Sequence, residues 1–131
     1  VTVRQPSGPT ARERRQKAEK RGIMAEHVVA IALRLKGYRI LARRYRTPVG
    51  EIDLVVRRGR LVAFVEVKAR GDIDTAAEAV TPRTRRRVIQ AARLYMQKNP
   101  HLDACDQRFD VALVRPRRWP VHVPSAFFAD D

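Results

Sequence analysis

Apolar and polar residues recur along this chain with two different periods, and the changes between them mark its elements. From Gly22 to Lys36, Ile23, Val29, Ala30 and Leu33 repeat at helical spacing, and Gly37 follows as a C-terminal stop. Tyr38–Arg46 alternates instead, with Tyr38, Ile40 and Ala42 on one side and Arg39, Leu41 and Arg43 on the other, which predicts a strand. Thr47–Gly50 reads as a turn. Two β-branched, apolar runs follow, Gly50–Val56 and Leu61–Arg70, around the basic break Arg57-Arg58-Gly59-Arg60, and this is a hairpin signature. Gly71–Val80 has no period and reads as a loop. Thr81–Lys98 is a second helix, with Thr81 as N-cap, Pro82 at the first position and a core stripe of Val88, Ile89, Ala92, Tyr95 and Met96. Asn99-Pro100 ends it. Gln107–Val114 is an apolar strand, and Trp119–Val123 is a short edge strand, because Pro116, Pro120 and Pro124 forbid a central place. Ser125–Phe128 then packs the tail onto the core.

The order is helix, three strands, helix, strand and a short final strand. An α-β-β-β-α-β chain of 131 residues predicts one α/β domain, a mixed sheet flanked by helices. Residues 1–20 read as a flexible basic arm, extended over about the first ten and then leading into a helix, and 21–131 as the domain.

Acidic residues interrupt the hairpin's apolar pattern. With Arg57–Arg60 as the loop, Val56 pairs with Leu61, Asp53 lies opposite Phe64 and Glu51 opposite Glu66. Side chains alternate faces along a strand, so Glu51, Asp53, Glu66 and Lys68 converge on one face. Opposed like charges destabilise a hairpin. They need a counter-charge, and a hard divalent cation with oxygen ligands supplies one; neutralisation by arginines is the other solution. Glu26, inside the first helix's apolar stripe, also needs a partner. It either pairs with an Arg or lends a metal or water ligand to the hairpin.

An Asp, a hairpin and then Glu-x-Lys resemble the active-site signature of the restriction-endonuclease-like nucleases, which include the archaeal Holliday-junction resolvases. More closely, Gly50-Glu51-Ile52-Asp53-Leu54 with Phe64-Val65-Glu66-Val67-Lys68-Ala69-Arg70 resembles the YraN family of small bacterial proteins. Gly22 with Glu26, Gly37-Tyr38, Arg108-Phe109-Asp110 and Ala126-Phe127 extend the match over roughly residues 22–128. The resemblance implies a restriction-endonuclease-like core and metal-assisted phosphodiester hydrolysis. Asp53 and Glu66 would then hold Mg²⁺ or Mn²⁺, with the Val67 carbonyl as a further oxygen ligand. Lys68 would orient water or stabilise developing charge, Glu26 would position a water or the metal, and Glu51 would support the site or pair with an Arg. The chain departs from the family's usual Asn at Arg44, Lys at Thr84 and Asn at Ser125.

Charge adds a partner. The chain has 28 Lys plus Arg against 14 Asp plus Glu, a net +14, which points to nucleic acid before membrane. Arg83, Arg85, Arg86 and Arg87 crowd the start of the second helix, where cations oppose its dipole, and phosphate contact is the use this predicts. DNA is expected over RNA, and because resolvase-like proteins often pair, the resemblance allows a homodimer. Two further classes compete with a nuclease: a non-catalytic nucleic-acid binder on the same fold, and a scaffold. Asp72 and Asp74 are candidate extra ligands or loop caps, and Asp110 reads as structural, capping or pairing with an Arg. Cys105 is the only cysteine, which excludes an intramolecular disulfide and a multi-Cys zinc site. No run is long enough to span a membrane and no signal peptide is visible, so a reducing cytoplasm is expected.

Overall fold

The computed structural model describes residues 8–69 and 80–129. Helix α1 spans Ala11–Leu35, followed by strands β1 (Arg39–Thr47), β2 (Gly50–Arg58) and β3 (Leu61–Lys68), helix α2 (Pro82–Lys98), a 3₁₀ turn at Pro100–Leu102, and strands β4 (Asp106–Leu113) and β5 (Val121–Phe127). The strands form one sheet in the order β1-β2-β3-β4-β5, antiparallel except for the β3–β4 pair. The parallel pair is joined through α2, the crossover that parallel neighbours require. The fold is therefore the expected α/β arrangement, a mixed sheet flanked by helices.

Each face of the sheet has its own core. On one side Ile52, Val55, Val62, Phe64, Phe109 and Val111 pack against Val88, Ala92, Tyr95 and Met96 of α2. On the other, Leu54, Val56, Ala63, Val65 and Ala112 pack against Val29, Ala30 and Leu33 of α1. β2 and β3 are covered on both faces, which explains their near-continuous apolar sequences.

Helix α1 begins at Ala11, well before Gly22. Thr10 caps it, accepting from the Glu13 N–H while the Glu13 carboxylate accepts from the Thr10 N–H. The boundary drawn at residue 20 thus falls inside a continuous helix. The hairpin also turns later than a four-residue loop implies: Arg58 pairs with Leu61, leaving Gly59 and Arg60 as a two-residue turn with Gly59 at φ +60°. Arg57 and Arg58 stay in the strand, paired with Val62 and Leu61. Arg57 Nε donates to the Gly59 carbonyl, and the Arg58 guanidinium stacks over Tyr38. β5 runs on to Phe127, so the tail expected to pack on the core is itself a strand, with Phe127 buried against Phe109. The expected loop Gly71–Val80, with Asp72 and Asp74, lies outside the described residues except for Val80.

Candidate active site

β1 and β2 change faces together. Arg43 pairs with Leu54 on the α1 side, whereas Tyr45 pairs with Ile52 on the α2 side. Strict alternation would put both pairs on one face. The switch falls at Arg44 and Asp53, between the two pairs, and Arg44 has the left-handed backbone φ +50°. A register shift between Ile40 and Ala42 breaks the expected alternation of β1 a second time.

Asp53 and Glu66 stand one step beyond the last paired residues of the hairpin, Leu54 and Val65. The later turn moves the register by two residues, so the step beyond Leu54 and Val65 sets Asp53, not Glu51, opposite Glu66. Asp53 Oδ2 accepts from the Val67 N–H at 2.7 Å, and Lys68 Nζ lies 3.6 Å from Glu66 Oε1. Glu66 is 8% exposed. Burial, then the Asp53 charge, push its carboxyl up to about 8, against the pull of Lys68. Burial raises Asp53 as well, opposed by the Val67 N–H and Lys68. Each carboxyl shifts the other, so the two titrate as a pair.

The other acids are claimed by arginines. Glu26 Oε2 lies 3.8 Å from Arg44 Nε, and its carboxyl is raised by burial and by Asp53 despite that partner. Glu51, opposite Arg46 in the β1–β2 ladder, instead pairs with Arg87 Nη2 of α2 at 3.3 Å. Arg44, Arg46, Glu51, Ile52, Asp53 and Glu66 line a cleft of about 250 Å³. Sequence reasoning brought Glu51, Asp53, Glu66 and Lys68 together but missed Arg44 and Arg46; the break in alternation after Arg43 was their signal.

Two adjacent, desolvated carboxyls are oxygen donors whose repulsion a cation relieves, and this donor set fits a hard divalent ion. No three His, Cys, Asp or Glu among the described residues form a metal cage by themselves. Magnesium does not need one, since it binds through one or two carboxylates and keeps several waters.

The four arginines of α2 are not equivalent. Arg87 is committed to Glu51, and Arg85 Nε donates to the Val80 carbonyl while its guanidinium sits over Phe127. Arg83 and Arg86 are exposed and make no ion pair among the described residues. A second polar cluster lies away from the cleft. Asp110 is fully buried and accepts from Arg108 Nε and Nη2, both at 2.7 Å, and from the Ser125 N–H at 3.1 Å, with His122 Nε2 at 2.8 Å. Burial alone would raise its carboxyl, but these bonds hold it below the usual value. The structural role expected for Asp110 is the one observed: it fastens β5 to β4.

No described helix is long and apolar enough to cross a membrane. The chain is 57% identical over 106 residues to a UPF0102 protein of Parvibaculum lavamentivorans, covering 81% of this chain and 80% of that one. It is 51% identical to a relative from Chelativorans sp., covering 93% and 98%, and 52% identical to one from Rhodopseudomonas palustris, covering 97% and 96%. Its fold is similar to that of Archaeoglobus fulgidus Hjc, a Holliday junction resolvase, with TM-score 0.52, 19% identity, and 79% of this chain and 72% of that one covered. Residues 25–114 match the profile described as "Uncharacterised protein family UPF0102", and the chain belongs to that family, the YraN family, on a restriction-endonuclease-like fold.

Proposed function

We propose that this protein is a divalent-metal-dependent nuclease that hydrolyses phosphodiesters in DNA, with branched or junction duplexes as its substrate class. The observation that carries this reading is the Asp53–Glu66 pair in an arginine-lined cleft, with the Lys68 ammonium 3.6 Å from Glu66. Asp53 and Glu66 would hold Mg²⁺ or Mn²⁺, which when bound polarises a phosphate and acidifies a water. The Val67 N–H fixes the Asp53 carboxylate, and Lys68 holds positive charge where the phosphate gains negative charge. Arg83 and Arg86 extend the contact along the backbone of the nucleic acid. The likeness to a resolvase supports junction DNA as the substrate over RNA, a homodimer that sets one cleft on each of two strands, and a cytoplasmic location. A non-catalytic DNA binder is the second reading, and the neutralisation of Glu26 and Glu51 by Arg44 and Arg87 favours it.

The test is incubation of the protein with labelled four-way junctions, flaps and linear duplexes in Mg²⁺ or Mn²⁺. Cleavage that a chelator stops and Asp53→Asn abolishes is the expected result. Tight binding with no cleavage of any of these substrates would replace the enzyme with the binder.

A further inference from the structure

We infer that Arg44 and Arg46 form a phosphate clamp over the carboxylate cleft, with Glu26 as the residue that positions Arg44. The inference rests on the nuclease reading and adds to it the residues of the protein that grip the reacting phosphodiester.

Three observations carry it. Arg44 is an L-residue in the left-handed region at φ +50°, a conformation that costs free energy for any side chain but Gly or Asn. Such a residue persists where its surroundings over-determine it, and that happens most at sites of function. Here the unusual backbone lies where β1 and β2 swap faces beside Asp53, and Arg44 lines the cleft. Arg43 Nη1 is instead 3.0 Å from His27 Nδ1. Second, the partner of Arg44 is loose. At 3.8 Å and with one guanidinium edge, Glu26 steers the group without occupying its hydrogen-bonding fork. Third, Arg46 is exposed at the cleft and makes no close ion pair among the described residues, because Glu51, the residue opposite it, is taken by Arg87. The cleft therefore holds two guanidinium groups with donors to spare beside two acids that repel anions. Two forks of parallel N–H donors match the non-bridging oxygens of a phosphodiester and offset that repulsion.

This assignment gives Glu26 a different task from ligating a metal. It holds Arg44 from the α1 side, while Asp53 and Glu66 act without it.

The experiment measures binding of a fluorescent four-way DNA junction at several salt concentrations in Ca²⁺, with full-length protein. Arg44→Gln and Arg46→Gln should each lower the slope of log affinity against log salt by about one, the loss of one phosphate contact. Arg43→Gln, at His27 and not in the cleft lining, should leave the slope unchanged, and Arg44→Lys should restore it by restoring the charge. Arg44→Asn should lower the slope with no loss of melting temperature, because Asn accepts the left-handed backbone. Mn²⁺ calorimetry on Glu26→Gln should give wild-type affinity within about twofold. A wild-type slope in Arg44→Gln or Arg46→Gln, or loss of Mn²⁺ binding in Glu26→Gln, overturns the clamp and leaves the nuclease standing. Failure of the wild type to bind Mn²⁺ or to cleave any junction overturns the nuclease reading itself.

Discussion

Gly50 lies so close to the backbone of Arg87 that a Cβ at Gly50 would run into the Arg87 carbonyl. This contact seats the first turns of α2 on the start of β2 and brings Arg87 within 3.3 Å of Glu51. Glycine is required there for close approach rather than for an unusual backbone angle. Gly50→Ala should destabilise the protein by about 1–3 kcal/mol, the usual cost of overpacking, as read by urea unfolding. Wild-type stability for this variant would mean that α2 does not sit on β2 as described.

Removing one acid from the pair in the cleft should help the metal-free protein. Asp53 raises the carboxyl of Glu66, and both are desolvated. Asp53→Asn ends that repulsion and can still accept from the Val67 N–H. The metal-free variant should melt above the wild type, and calorimetry should find its Mn²⁺ binding lost. A large drop in melting temperature would mark Asp53 as half of a structural ion pair instead.

The acidity of Glu66 sets two pH dependences. Its carboxyl holds a proton up to about 8 in the fold, against an ordinary value of 4.5. Between these values the folded metal-free chain binds more protons than the unfolded chain, so its stability falls as pH rises across that window. The same proton must leave before a cation can bind. Mn²⁺ affinity should therefore climb as pH rises towards about 8, with release of about one proton. Titrations in buffers of different ionisation enthalpy check this, and a flat affinity with no proton release contradicts it.

Asp110 follows the opposite sign. Its folded carboxyl is held below the usual value by His122, Arg108 and the Ser125 N–H, which outweigh burial. Its contribution is present at neutral pH and is lost as pH falls through the folded value. Asp110→Asn leaves Arg108 without its carboxylate and should cost about 3–5 kcal/mol at pH 7, the range for a broken buried pair. The deficit relative to wild type should shrink in strong acid, and a deficit that stays constant from neutral to strongly acid pH would contradict the account.

Periodicity revealed most of the fold, because β3, α2 and β2 from Leu54 onward bury regular stripes. Their side chains Val55, Phe64, Val88 and Tyr95 point where a strand period of two and a helix period of 3.6 send them. The register error survived for the same reason: shifting a strand by two residues leaves each side chain on its face, so Asp53 and Glu66 could be brought together from the wrong loop. Arg57 and Arg58 read as loop residues because a basic run resembles a break, yet long stems let arginine stay in a strand. Arg44 and Arg46 leave only a break in alternation after Arg43, which does not say where their side chains go. Their placement depends on a left-handed residue inside a strand, which no pattern of apolar positions encodes. The bond from Asp110 to His122, across twelve residues of sequence, likewise arises only once β5 lies beside β4.

The proposed catalysis turns on Lys68. Its Nζ lies beside Glu66 on the strand face that carries the acid pair, and in the proposed reaction its task belongs to the transition state rather than to holding metal or DNA. The decisive measurement is single-turnover cleavage of a four-way DNA junction at saturating Mg²⁺ by wild type and Lys68→Ala, alongside their Mn²⁺ and junction affinities. Affinities should stay within about twofold of wild type while the cleavage rate falls by ~10²-fold or more, the loss typical of one transition-state donor. Cleavage by Lys68→Ala at the wild-type rate would contradict that role.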